Sequence, residues 1–134
     1  MKKQALKNKA PIIKENILMD DSMQIFDLPT LIEKMKQHSC IKGELNAKIL
    51  LKSPEKQILL TILHEGTKIK SFQSNDSITF QIIEGKLRFR TFIESATLNK
   101  GQLLTLNKNI KYNLKTKEET VILLTIANGT LQIV

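Results

Sequence analysis

The feature that most limits what this chain can fold into is a rhythm of short apolar runs and turn residues that starts near residue 45. Strand-like runs occupy 48–51, 57–64, 68–74, 78–83, 87–93, 102–106, 111–114, 120–126 and 130–134. Between them stand breakers: Ser53-Pro54, Glu65-Gly66, Ser74-Asn75-Asp76, Glu84-Gly85, Lys100-Gly101, Asn107-Lys108-Asn109 and Asn128-Gly129. Runs of this length at roughly ten-residue spacing specify a β-sandwich or barrel. One helix precedes them. Over 27–38, Leu28, Leu31, Ile32 and Met35 recur at i, i+3, i+4 and i+7, with Asp27 as N-cap and Pro29 in the first turn. This stripe is a packing face for a sheet. A helix followed by strands speaks against βαβ units.

Length bounds the rest. A chain of 134 residues with 41% hydrophobic residues is one domain with one core. Residues 1–19 carry Lys2, Lys3, Lys7, Lys9 and Lys14 and are expected to be a flexible basic segment, with the single domain spanning 20–134. No apolar run approaches the ~18 residues of a membrane span. The basic N-terminus has no hydrophobic region behind it, and the lone Cys40 cannot close an internal disulfide, so a cytoplasmic protein is expected.

The net charge of +8 raises the question of a polyanionic partner. Only Arg88 and Arg90 are arginines among the 21 basic side chains, aromatics are 4%, and the lysines are spread along the sequence. Arginine and aromatic rings do most of the reading of nucleic acid, so the composition argues against that partner. Glu84 and Glu94 flank the two arginines and are expected to balance them on a solvated surface.

Three glycines frame the strand region. The stretch GTKIKSFQSNDSITFQIIEG runs from Gly66 to Gly85, and GQLLTLNKNIKYNL runs from Gly101 to Leu114. In this frame, over about residues 45–127, the chain resembles the cupin superfamily, in particular small one-domain cupins. The resemblance implies a mainly β fold: a cupin-type jelly-roll β-barrel with one short N-terminal helix, commonly dimeric. The family's metal is usually held by two His and a Glu of the first motif and a His of the second. Aligning the glycines puts Phe72, Ser74 and Ile78 in the first three places and Tyr112 in the fourth. A shift by one residue offers Ser71 and Gln73. Neither set supplies the N and O donors of a divalent-metal site, so no metal and no cofactor is expected.

If position 78 faces inward as the family's Glu does, Phe80 and Ile82 follow it by strand alternation. Phe72, Ser74, Ile78, Phe80 and Tyr112 then form either a filled core or a pocket for an apolar or aromatic small molecule, with the Tyr112 hydroxyl and Ser74 as its polar groups. His38, His64 and Cys40 have no sequence neighbours that would make them a base, ligand set or nucleophile. No phosphate-binding loop or nucleophile elbow is present. No catalytic residue is assigned. The expectation is a metal-free, non-enzymatic binding or interaction module, homodimeric. The alternatives are a metal-independent isomerase or lyase using Tyr112 with His64, and a regulatory nucleic-acid-associated protein.

Overall fold

The structure is a computed structural model, described for residues 23–37 and 45–127. The basic segment 1–19, His38, Cys40 and the run 130–134 lie outside the described residues. One helix, α1 (Leu28–Lys36), precedes nine strands: β1 (Leu45–Lys52), β2 (Lys56–Leu63), β3 (Lys68–Gln73), β4 (Ser77–Glu84), β5 (Lys86–Thr91), β6 (Ser95–Asn99), β7 (Leu103–Leu106), β8 (Lys111–Thr116) and β9 (Thr120–Ala127). They form a five-stranded sheet in the order β1-β2-β9-β4-β7 and a four-stranded sheet in the order β3-β8-β5-β6. Every pairing is antiparallel.

The two sheets close on each other over Leu63, Ile78, Phe80, Ile82 and Ile122 from the large sheet and Leu87, Phe89, Leu98, Tyr112 and Leu114 from the small one. The turn rhythm implied a two-sheet or barrel architecture, and the jelly-roll arrangement is the one the cupin resemblance implied. Ile78, Phe80 and Ile82 do share the inner face, as the alternation of β4 requires. A second cluster covers the outside of the large sheet, where Ile32 and Met35 of α1 pack on Leu60, Ile62 and Val121. The apolar stripe of the helix therefore does face a sheet. Asp27 sits at the N-cap, but its carboxylate accepts from Thr30 Oγ1 at 2.8 Å rather than from a backbone amide.

Two local expectations need correction. Strand β6 has no apolar alternation in SATLN and was not expected as a strand; it forms because β5 offers it a full ladder from Lys86–Asn99 to Arg90–Ser95. The run 87–93 stops at Thr91. Phe92 and Ile93 lie in the following turn, where the Thr91 amide donates to the Glu94 carbonyl at 2.7 Å.

Gly85 makes the β4–β5 turn at φ +88, and a Cβ there would overlap the Glu119 carbonyl oxygen and lie 2.7 Å from Thr120 Cα. Glycine is required there for space as well as for backbone conformation.

Candidate functional site

At Tyr112, one of the four positions that the family frame gives to metal ligands, the rings of Phe80, Phe89 and Tyr112 meet. Phe89 stacks on Tyr112 at 4.9 Å between centroids, and Phe80 stands edge-on to both at 5.3 and 5.7 Å. Such geometry is favourable beyond the area it buries, by about 0.5–1.5 kcal/mol per pair. Ile78 and Phe80 are buried beside them, and Tyr112 is 6% exposed. Burial pushes the Tyr112 hydroxyl up to about 12, because a phenolate there would lose its water.

Phe72 closes one end of this cluster, edge-on to Tyr112 at 5.5 Å, and is itself 45% exposed on the rim. Ser74 follows β3 in a turn: its hydroxyl accepts from the Asp76 amide at 3.0 Å and its carbonyl from the Asn109 amide at 2.7 Å. The structure thus brings Phe72, Phe80 and Tyr112 into direct ring contact with Phe89, which the family frame had not singled out, and puts Ile78 in the same core. Ser74 is engaged in turn hydrogen bonds. Phe89 was legible in principle, since it alternates with Leu87 on β5.

A β-bulge explains how Phe72 reaches inward. Ile69 pairs with Leu114 and Phe72 with Tyr112, so Lys70 and Ser71 together oppose the single residue Asn113. The extra residue resets the alternation. Ser71 takes φ +55 there, and its amide donates to Asn113 Oδ1 at 2.6 Å. Lys68 and Lys70 stay exposed while Phe72 turns to the core side.

The outer face of the same sheet is chemically opposite. Cross-strand register lines up Lys68, Lys115, Arg88 and Thr97 in one row, and Asn113, Arg90 and Ser95 in the next. These side chains, with Lys70, line a surface recess of about 550 Å³. A second recess of about 380 Å³ shares Arg90 and Asn113 with it and continues past Lys111 to Phe92. Phe92 is 100% exposed and Ile93 84%. The expected balance by Glu84 and Glu94 is not found. Glu84 pairs instead with Lys36 of α1 at 2.9 Å, and among the described residues none of Lys68, Lys70, Arg88, Arg90 and Lys115 makes an ion pair. Basic side chains far apart in sequence meet on this face because antiparallel pairing puts Lys68, Lys115 and Arg88 side by side.

A third polar cluster lies where α1 meets the ends of β2, β4 and β9. Lys36 Nζ lies 2.9 Å from Glu84 and 3.5 Å from Glu119, and Glu119 lies 3.3 Å from His64 Nδ1. His64 is 5% exposed, and its carbonyl accepts from Thr67 Oγ1 and Thr116 Oγ1 at 2.7 and 2.8 Å. Glu84 first, through its hydrogen bond, holds the Lys36 ammonium above its ordinary range. His64 and Tyr112 do not converge. Thr116 of β8 is beside His64, and Tyr112 is four residues back along that strand, about 13 Å at the rise of a β-strand. Among the described residues, no three of His, Cys, Asp and Glu are grouped so that they could hold a metal ion.

With this geometry in hand, comparison with known proteins is informative at the level of fold. The chain superposes on a cupin superfamily protein from Desulfitobacterium hafniense with a TM-score of 0.63 and 13% identity, covering 70% of this chain and 86% of that one. It superposes on the cupin domain of Cnp3 from Schizosaccharomyces pombe with a TM-score of 0.64 and 18% identity, over 79% and 74% of the two chains. Salicylate 1,2-dioxygenase from Pseudoaminobacter salicylatoxidans matches at a TM-score of 0.59 and 17% identity, over 73% of this chain and 31% of that enzyme. The chain has the cupin fold. No protein-family profile matches it, and no curated protein matches its sequence. A fold shared by an oxygenase and a protein of the Cnp3 kind does not assign chemistry, so function has to be argued from these residues.

Proposed function

We propose that this chain is a non-enzymatic interaction module in which the cupin interior has become packed core and recognition takes place on the outside. The observation that carries this reading is the packing around two ligand positions of the family frame: Phe80 and Phe89 lie against the Tyr112 ring at 5.7 and 4.9 Å, and Ile78 is buried in the same core. The Tyr112 hydroxyl makes no hydrogen bond to another described residue, and His64 is turned to Glu119, so neither is arranged as an acid–base pair with the other. The proposal includes a homodimer in the cytoplasm. In its support, β1 is an edge of the large sheet, with Leu45 and Ile49 about half exposed, and an open edge invites a second strand.

A second reading has one observation in its favour. Phe72 leaves part of its ring exposed beside Tyr112, so a small apolar or aromatic ligand could seat at that rim, with Phe72, Ser74, Ile78, Phe80 and Tyr112 as its surroundings.

Elemental analysis of the purified, dialysed protein tests the main reading. Substoichiometric metal is expected, and one tightly held transition metal per chain would overturn it. Sedimentation velocity tests the dimer, and the fluorescence of the lone Tyr112 titrated with aromatic compounds tests the rim.

A further inference from the structure

We infer that the outer face of the small sheet binds single-stranded nucleic acid by its phosphates, with Phe92 stacking on an unpaired base. This deepens the interaction reading and rests on it. Lys68, Lys115 and Arg88 stand directly opposite one another on adjacent strands, a placement that costs stability. No carboxylate among the described residues pairs with any of them. Both arginines of the chain are on this face. Ser95 and Thr97 on the edge strand and Asn113 on β8 line the same recess beside the cations and supply neutral hydrogen-bonding groups for phosphate and sugar oxygens.

The shape favours a strand over a duplex. The two recesses, about 550 and 380 Å³, join at Arg90 and Asn113 and run across the sheet to a fully exposed aromatic ring. A cationic groove that ends on an aromatic platform tracks an unpaired backbone, whereas bases in a duplex hide their faces by stacking. An anionic membrane fits less well. Phe92 and Ile93 form an apolar tip at the end of the sheet, away from the main row of cations. Lys68, Arg88 and Lys115 sit farther up the sheet, one row beyond Arg90.

The full chain should be titrated into a fluorescent oligothymidylate of about twelve nucleotides, with anisotropy read between about 50 and 200 mM salt. Neutralising four or five phosphates predicts a slope of log K against log salt near about −3. Arg88→Gln with Lys115→Gln should reduce that slope by about 1.4. Phe92→Ala should weaken binding about tenfold and leave the slope unchanged. Lys48→Gln, exposed on the large sheet, should change neither. All four positions are exposed, and circular dichroism checks that each variant folds.

The inference is overturned by no binding at about 50 mM salt, by equal binding of the double variant, by a duplex of the same length binding as well, or by phosphatidylserine vesicles binding where the oligonucleotide does not. Absent oligonucleotide binding with substoichiometric metal discards the nucleic acid alone. One tight metal per chain discards the interaction reading beneath it.

Discussion

The two faces of the four-stranded sheet are made by the same strands and obey opposite chemistry. Inward, Leu87, Phe89, Tyr112 and Leu114 are buried in a core whose one titratable group among these four is the Tyr112 hydroxyl. Outward, one residue over, Arg88, Arg90 and Lys115 are exposed with no ion-pair partner among the described residues. A side chain's partners, rather than its neighbours in sequence, decide what it contributes. The inner face gains from burial and ring contact. The outer face carries like-charge repulsion across its strands.

The largest expected effect lies inside. Phe80→Ala should destabilise by about 3–5 kcal/mol, measured by urea unfolding, because the rings around it cannot collapse into the space. If it costs less than about 1 kcal/mol, the interior is loosely filled and the rim-ligand reading gains. Next come two of the three framing glycines, Gly85 and Gly101. Gly85→Ala should cost more than about 2 kcal/mol, since it meets backbone atoms in addition to its φ of +88. Gly101 has the same φ but nothing within 4 Å, so Gly101→Ala should cost only the left-handed backbone term, about 1–2 kcal/mol. Equal losses would mean that the close approach at Glu119 and Thr120 relaxes.

Tyr112 sharpens the comparison through pH. It is the only tyrosine and the chain has no tryptophan, so tyrosinate absorbance reports it alone. Its folded value of about 12 lies above the ordinary 10.0. The stability this represents is fully present below pH ~10 and is lost as pH rises toward ~12, up to about 2–3 kcal/mol. Unfolding in denaturant should return the midpoint to ~10, and Tyr112→Phe should abolish that part of the alkaline loss. A folded-state midpoint near 10 would show that water reaches the ring cluster.

The smallest effects lie outside. Lys115→Gln removes the charge between Lys68 and Arg88 and should raise stability by up to about 0.5 kcal/mol while weakening oligonucleotide binding. Loss of both would make Lys115 a structural residue.

Much of the fold was legible before any coordinates. Eight of the nine strands coincide with apolar runs between turn residues, because burying one face of a sheet imposes a period of two on the chain. The helix showed itself for the same reason at a period near 3.6. Strand β6 was hidden, since Ser95, Ala96 and Thr97 are exposed and only Leu98 is buried; its pairing with β5 supplies what its composition does not. Of the candidate site residues, Ile78, Phe80 and Tyr112 could be placed inward by counting along a strand. Phe72 could not, because its orientation depends on the bulge at Lys70 and Ser71, and a bulge leaves no reliable mark in composition.

The sequence by itself determined a β domain with glycine-framed turns, an apolar interior and no set of metal donors at the family positions. Those are local properties: periodicity, backbone freedom and the donor atoms each side chain carries. Only the tertiary structure decided that Phe89 joins Phe80 and Tyr112, that Glu84 goes to Lys36 instead of the arginines, and that Lys68, Arg88 and Lys115 share a row. Each of these depends on strand order and register, which join residues far apart in the chain and are set by the packing of the whole sandwich.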